Sequence, residues 1–157
     1  MFGQLDGMEV VVDGIDHGYL APAHVAPSHG GEDIAPAISW KPVPGAASYA
    51  VTCFDRDAPT GSGVWHWVLT DIPASVTSVA PGSEDGRAFA NDLGVAGYAG
   101  AAPPPGAPHR YEFTVWALDV AALPLPDGAT NAVARFFLHQ HAIAAGTKVA
   151  LYGVAAA

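Results

Sequence analysis

Residues 48–73 read SYAVTCFDRDAPTGSGVWHWVLTDIP, and this stretch gives the clearest indication of a β-rich fold. Its two ends, Ser48–Asp55 and Val64–Asp71, are rich in the β-branched and aromatic residues that favour strands. Between them lie a second carboxylate, a proline and two glycines, which favour a turn. The stretch therefore predicts two strands joined by a short loop, with Asp55 and Asp57 where the first strand ends.

The same pattern of short strands and turns continues along the rest of the chain. Fourteen prolines and eighteen glycines are spread over 157 residues, which leaves little room for long helices. We therefore predict a mainly β, single-domain protein spanning residues 1–157, with short peripheral elements. The other predicted strands are Met8–Val12, Ala37–Trp40, Arg110–Leu118 and Lys148–Tyr152.

One helix is predicted, from about residue 131 to residue 145. Asp127 and Thr130 are candidate N-caps, and Gly146 is placed to end the helix. A mostly apolar stripe at helical spacing predicts the face that docks on a sheet. Its members are Val133, Phe136, Phe137 and Gln140.

Composition and charge exclude several classes of function. Fifteen acidic and six basic side chains give a formal net charge of −9, so nucleic acid and anionic membranes are poor partners. No apolar run approaches the roughly 18 residues that a membrane span needs. Met1–Asp6 does not resemble a signal peptide, and the lone Cys53 fits a reducing compartment, so we expect a cytoplasmic protein. Against this acidic surface, an anionic ligand has to be held by a specific pocket.

Three polar residues interrupt strand faces that otherwise point into the interior. Asp55 follows Val51 and Cys53 on one face, because side chains alternate along a strand. His66 is predicted to share a face with Val64 and Val68, opposite the flanking tryptophans. His109, Tyr111 and Phe113 are predicted to share a face of a third strand. Buried polar groups need partners, and the simplest arrangement is that Asp55, His66 and Tyr111 meet one another.

Each of these features also has an ordinary structural explanation. A single histidine among apolar residues is more often a hydrogen-bonded core residue than a functional one. An aspartate before proline usually forms a turn, and Cys53 is more consistent with a small core residue than with a reactive thiol. Taken singly, none of the segments identifies a function.

Taken together, three motifs resemble the phosphatidylethanolamine-binding proteins, also called Raf kinase inhibitor-like proteins, and in particular their bacterial and archaeal branch. The motifs are Asp55-Arg56-Asp57-Ala58-Pro59, then Trp65-His66-Trp67, then the Gly100–Tyr111 segment that ends in His-Arg-Tyr. Weaker likeness extends over about residues 8–153. The chain departs from the family pattern at Ala35, Arg56 and Ala101.

The resemblance implies an antiparallel β-sandwich with an anion pocket at one end. It also implies a cis peptide bond, for which Ala58–Pro59 is the candidate. Carried over by motif, the ligand-binding residues are expected to be Asp55, Asp57, Pro59, His66, Gly100, Pro103, His109 and Tyr111.

The function expected from this likeness is binding of a small anion, such as a phosphate, a phospholipid headgroup or a carboxylate. A regulatory or inhibitory role towards a kinase or protease is implied by the family, and a homodimer is left open. The alternative is an acid–base enzyme, an isomerase, cyclase or hydrolase, that uses Asp55, His66 and His109. Two histidines and a carboxylate also suit a metal triad. We nevertheless expect neither a metal nor another cofactor.

Overall fold

The computed structural model describes residues 5–156 as a β-sandwich with one helix. Eleven strands are present in these residues, and the four longest are β6, β7, β10 and β11. The helix α1 is Asn131–His141. The strands are β1 Asp6–Gly7, β2 Val10–Val12, β3 Ile15–Asp16, β4 Tyr19–Leu20, β5 Ile38–Trp40, β6 Ser48–Asp55, β7 Val64–Pro73, β8 Ser78–Val79, β9 Arg87–Ala88, β10 His109–Leu118 and β11 Ala142–Tyr152.

The larger of the two sheets carries all the long strands. Its order is β3-β4-β11-β10-β6-β7-β9, and β1 also pairs with β11. The central pairings β11-β10-β6-β7 are antiparallel, whereas β1 and β4 run parallel to β11. The smaller sheet has the order β2-β5-β8. Because β6 and β10 end side by side, with Asp55 opposite Tyr111, the polar strand ends come together at one edge of the sandwich.

Apolar side chains cover both faces of the large sheet. On one face, Val51, Cys53 and Phe113 pack towards the small sheet, together with Ile38 and Trp40 from that sheet. A second cluster lies on the other face, between the sheet and α1. Its buried members include Ala50, Val68, Trp116, Leu118, Ala134 and Leu138. Burial on both faces explains why these long strands are almost continuously apolar.

The helix is shorter than the sequence predicted, and it buries a different face. Thr130 is the N-cap, as predicted, and accepts a hydrogen bond from the amide of Val133. The helix ends at His141, and residues 142–152 form one long strand in which Gly146 is internal. A Cβ on Gly146 would lie 2.5 Å from the carbonyl oxygen of Met8, so the glycine permits close strand packing and does not cap the helix.

The predicted apolar stripe of α1 was wrong in most of its members. Val133 and Phe136 are 42% and 56% exposed, whereas the buried residues are Asn131, Ala134 and Leu138. The small Ala134 allows the helix to approach the sheet closely. The two larger side chains therefore remain on the outer side of the helix.

A β-bulge overturns the predicted alternation in the Trp-His-Trp segment. Cys53 pairs with Trp67 and Phe54 pairs with Trp65, so His66 is an extra residue in β7. As a result, Trp67 packs in the cluster between the sheets, while Trp65 packs in the cluster beneath α1. The two tryptophans therefore lie on opposite faces of the sheet.

Candidate functional site

A buried Asp–His pair forms the centre of the candidate site. Asp55, the last residue of β6, and His109, the first residue of β10, are 3% and 8% exposed. Nδ1 of His109 lies 2.7 Å from a carboxylate oxygen of Asp55. The other oxygen of Asp55 accepts a 2.9 Å hydrogen bond from the amide of Asp57. Since the carboxylate can only accept a hydrogen bond, Nδ1 of His109 carries the proton. Nε2 of His109 therefore stays available to another group.

His66 lies beside this pair, in surroundings that favour the neutral imidazole. Its Nδ1 donates to the carbonyl oxygen of Ala99 at 2.8 Å, because a carbonyl oxygen can only accept. Burial lowers the pKa of His66 from its ordinary value, and this effect outweighs the opposing effect of the hydrogen bond and of nearby carboxylates. In residues 5–156, Nε2 of His66 has no hydrogen-bond partner. His66 therefore presents a ring nitrogen that can accept a proton.

Tyr111 brings a buried hydroxyl that the protein itself does not satisfy. The side chain is 1% exposed, and its ring centroid lies 5.4 Å from that of His66 and 6.4 Å from that of His109. Burial and then the charge of Asp55 raise its pKa well above the ordinary value. Its hydroxyl makes no hydrogen bond of good geometry within the described part of the chain. A buried hydroxyl without a protein partner costs stability unless another group satisfies it, so this hydroxyl is available to a group that enters the cavity.

These four side chains line one cavity of about 190 Å³. Pro59 and Pro103, both predicted as site residues, also line it. Apolar residues that sequence reasoning did not select complete the wall. The full lining is Asp55, Ala58, Pro59, Thr60, Val64, His66, Leu93, Ala102, Pro103, Pro104, His109 and Tyr111.

Asp57 is not part of this lining and has a different partner. Its two oxygens accept hydrogen bonds from the Arg110 guanidinium at 2.8 and 3.0 Å, and one of them also accepts from the Arg110 amide at 2.8 Å. Arg110 lowers the pKa of Asp57 to about 2. The structure therefore places Asp57 as a clamp between the loop after β6 and the start of β10, which fixes the relative positions of Asp55 and His109.

Gly100 also lies outside the lining, where it holds the wall segment in place. A Cβ there would lie 2.5 Å from backbone atoms of Val25 and Ala26, so only glycine permits this approach. The Gly100 amide donates to Asp33, which has a left-handed φ of 59°. Two such supports, Asp33 and His29, could not be predicted from the sequence, because both lie outside the three motifs; His29 is the last residue of a short 3-10 helix, Pro27–His29. His29 Nε2 lies 2.9 Å from the carbonyl oxygen of Pro103. No sequence motif includes His29, so the sequence did not indicate this contact.

The predicted cis bond at Ala58–Pro59 was wrong. The described residues contain no cis peptide bond, and the loop instead turns through Gly61 and Gly63, whose φ values are 84° and 76°. These left-handed conformations reverse the chain without an isomerised proline. Cys53 is buried as predicted, and burial raises the pKa of its thiol well above the ordinary value. Within residues 5–156, no three His, Cys, Asp or Glu side chains are grouped as metal ligands.

The sequence matches known proteins over most of its length. Residues 13–153 match the family model described as phosphatidylethanolamine-binding protein. The chain belongs to the phosphatidylethanolamine-binding protein family. Over 131 residues it is 41% identical to the UPF0098 protein YbhB of Escherichia coli K12, which covers 78% of this chain and 83% of YbhB. The UPF0098 protein YbcL of the same strain is 39% identical over 148 residues, which cover 86% of this chain and 81% of YbcL.

Solved structures show the same fold. The crystal structure of E. coli YbcL, described as a new member of the mammalian PEBP family, superimposes with a TM-score of 0.87 at 35% identity. The match covers 94% of this chain and 98% of that one. A PEBP homologue from Chlamydia trachomatis, CT736, gives a TM-score of 0.79 at 25% identity, covering 94% and 97% of the two chains. The predicted PEBP-like fold is confirmed.

The predicted cytoplasmic location is not settled by these relatives. The putative lipoprotein LppC of Mycobacterium tuberculosis is 39% identical over 125 residues, which cover 78% of this chain and 61% of LppC. No helix among the described residues is long and apolar enough to span a membrane. A cytoplasmic location therefore stays a prediction.

Proposed function

We propose that this member of the phosphatidylethanolamine-binding protein family binds a small anion in the cavity lined by Asp55, His66, His109 and Tyr111. The observation that supports the proposal is the buried Tyr111 hydroxyl, which has no hydrogen-bond partner of good geometry among the described residues and lies beside two imidazoles in a cavity of about 190 Å³. A hydroxyl and two ring nitrogens can surround the oxygens of a phosphate or carboxylate.

The charges of the site favour an anion that carries a proton itself or causes His66 to become protonated when it binds. Among the residues that the structure describes, no lysine or arginine lines the cavity, and Asp55 already pairs with His109. Burial lowers the pKa of His66 and so favours its neutral form. An anion beside Nε2 of His66 stabilises the imidazolium, and the charge-assisted hydrogen bond that results is about twice as strong as a neutral one. Anion binding is therefore expected to take up a proton.

The size of the cavity favours a headgroup over a whole lipid or a large metabolite. Pockets for drug-sized ligands occupy roughly 300–1,000 Å³, and this one is smaller. Pro59, Pro103 and Leu93 give it an apolar rim, and Leu93 is 55% exposed. We infer that a phosphate, a phosphorylated headgroup or a short carboxylate fits best.

Calorimetric titration of the full chain with phosphate, phosphoethanolamine and sulfate between pH 5.5 and 8 tests the proposal. Sulfate does not titrate in this range, so a rise in its affinity as pH falls reports the histidines alone. The variant His109→Asn keeps a donor to Asp55 but removes Nε2, and we expect a loss of affinity of roughly 10- to 100-fold. His17→Asn is the matched control, because His17 is almost fully exposed and pairs with Asp16. Sulfate affinity that is equal in wild type and His109→Asn would overturn the proposal, and sulfate affinity that is independent of pH would exclude proton uptake on binding.

A second candidate is acid–base catalysis in the same cavity, and one observation favours it. Asp55 holds His109 with Nδ1 protonated, which is how a carboxylate orients an imidazole that works through Nε2. An isomerisation, cyclisation or hydrolysis would use His109 and His66 as the two proton-transferring groups. Turnover of a candidate substrate that is lost in His66→Asn and His109→Asn, but kept in Cys53→Ala, would support it. The regulatory role and the kinase or protease partner suggested by the family resemblance remain predictions.

A further inference from the structure

A second cavity lies on the opposite face of the sheet from the anion pocket. It occupies about 500 Å³ between the start of α1 and the ends of β6 and β7. Because side chains alternate along a strand, Phe54 lines this cavity while its neighbour Asp55 lines the first. Likewise, Trp65 lines the second cavity and its neighbour His66 lines the first. The sheet itself therefore separates the two cavities.

Arg135 is the cationic group on the lining of this second cavity, and it has no carboxylate partner among the described residues. Among residues 5–156, four of the six cationic side chains form ion pairs with Asp or Glu, and Arg135 and the exposed Lys148 do not. Arg135 is partly buried, and burial lowers its pKa despite the charge of Glu112. A desolvated guanidinium without an anionic partner is unfavourable in a protein that carries fifteen acidic residues.

The contacts of Arg135 leave part of its hydrogen-bonding capacity unused. Its guanidinium carbon lies 5.1 Å from the ring centroid of Trp65 and 5.9 Å from that of Phe54. Its Nε donates to Nε2 of His139 at 3.0 Å. The two terminal amino groups, with four of the five N–H donors, make no hydrogen bond within the described residues. Contacts with aromatic rings thus hold the guanidinium in the cavity wall, while its terminal amino groups stay available for an oxyanion.

The first turn of α1 adds backbone donors to the same cavity. Asn131 and Ala132 line it, and their amides make no hydrogen bond within residues 5–156, whereas Thr130 caps the amide of Val133. Unsatisfied amides at a helix N-terminus favour negative charge. The carboxylate on the lining, Asp92, is already occupied: one oxygen accepts from the Trp65 amide and the other from the Asn131 side chain.

We propose that this cavity is a second binding site, for a small organic carboxylate with an apolar, flat body. The carboxylate would accept hydrogen bonds from the guanidinium of Arg135 and the free amides of α1. The body would pack on the stacked rings of Phe54 and Trp65, whose centroids lie 4.3 Å apart. The volume of about 500 Å³ matches pockets for such ligands, and the assignment is independent of the anion pocket.

Titration of the full-length chain with benzoate, followed by amide and arginine Nε resonances in nuclear magnetic resonance spectra, tests the inference. We expect saturable shifts at Ala132 and Arg135, with much smaller shifts at Tyr111. Benzyl alcohol keeps the ring without the charge, and inorganic phosphate supplies the charge without the ring. Both should bind this site more weakly than benzoate.

Three variants separate the site from a general effect of charge. Arg135→Met retains an apolar side chain over the rings and should weaken benzoate binding roughly 10- to 100-fold. Arg135→Lys keeps the charge without the planar fork, so its benzoate affinity should lie between those of the wild type and Arg135→Met. Lys148→Met removes an equal charge from an exposed strand and should leave benzoate affinity unchanged. Benzoate shifts that map to Tyr111 and His66, that persist in Arg135→Met, or that disappear equally in Lys148→Met would overturn the inference.

Discussion

At the scale of single residues, Tyr111 and Tyr98 are the same side chain in two different situations. Both are largely buried near the candidate anion pocket. The Tyr98 hydroxyl donates to the carbonyl oxygen of His24 at 2.6 Å, whereas the Tyr111 hydroxyl lacks a partner of good geometry in the described residues. The first hydroxyl therefore contributes to stability, and the second is available to a ligand.

Substituting each tyrosine by phenylalanine should separate these roles. Tyr111→Phe removes an unsatisfied buried hydroxyl, so the free energy of unfolding should stay the same or rise by about 1 kcal/mol, while phosphate affinity falls roughly fivefold. Tyr98→Phe is the matched control and should lose about 1–2 kcal/mol of stability, because the His24 carbonyl loses its short hydrogen bond and keeps only the long one, 3.4 Å, from the Ala101 amide. Urea denaturation and calorimetry measure both quantities. If Tyr111→Phe destabilised the fold as much as Tyr98→Phe, the hydroxyl would have to be bonded in the free protein.

At the scale of elements, the wall of the anion pocket depends on a loop with no secondary structure of its own. Gly100 fits against Val25 and Ala26, and the amide of Ala26 donates to the Ala101 carbonyl at 2.9 Å. His29 and Asp33, at the other end of the same contact, bind Pro103 and Gly100. The segment around residues 25–33 therefore positions the wall without touching the cavity.

Gly100→Ala should disturb the packing of this loop against residues 25 and 26, although residue 100 does not line the cavity. The added methyl group would meet backbone atoms at 2.5 Å, so we expect a loss of stability of about 1–3 kcal/mol and weaker anion binding. Gly128→Ala is the control, since a Cβ there meets nothing within 4 Å, and its effect on stability should be within about 0.5 kcal/mol. Thermal unfolding with and without phosphate measures the outcome. Equal effects of the two substitutions would show that the loop adjusts freely around residue 100.

The elements also show which features of the fold could be predicted from the sequence. Ser48–Asp55 was predicted with its observed limits, because alternation and turn residues define both of its ends. The end of α1 and the start of β11 could not be located, because alanine-rich residues 142–145 are compatible with helix or strand. The bulge at His66 was also hidden, since only the pairing with β6 makes one residue supernumerary.

The site shows the same division between local and long-range information. Asp55, His66, His109 and Tyr111, which the motifs selected, line one cavity in the structure, because their strand ends are adjacent in the sheet. Asp57 and Gly100 were selected by the same motifs, yet they act on the site from behind its lining. Arg135 carried no motif at all. Its importance arises from three aromatic rings supplied by β6, β7 and β10, an arrangement that requires the folded chain.

At the scale of the whole molecule, the anion pocket should link folding to pH. In the unfolded chain His66 titrates near its ordinary pKa of 6.5, whereas in the folded chain burial lowers that pKa. Above pH 6.5 both states are neutral at this position, so the full contribution to stability is present. As pH falls below 6.5 the unfolded state binds a proton that the folded state does not, and stability decreases. One unmatched proton lowers the free energy of unfolding by at most about 1.4 kcal/mol per pH unit.

The variant His66→Asn, which keeps a donor for the Ala99 carbonyl, should show a shallower decline of unfolding free energy between pH 6.5 and 5. His17→Asn, an exposed control, should follow the wild type. Added sulfate should offset part of the decline in the wild type, because an anion in the cavity favours the protonated form of His66 and so raises its pKa. Sulfate should have no such effect on His66→Asn. Urea denaturation at each pH, with and without sulfate, measures the four curves. If sulfate stabilised the wild type equally at pH 5.5 and pH 8, proton uptake by His66 would not be part of binding, and the anion would have to be held by Tyr111 and His109 alone.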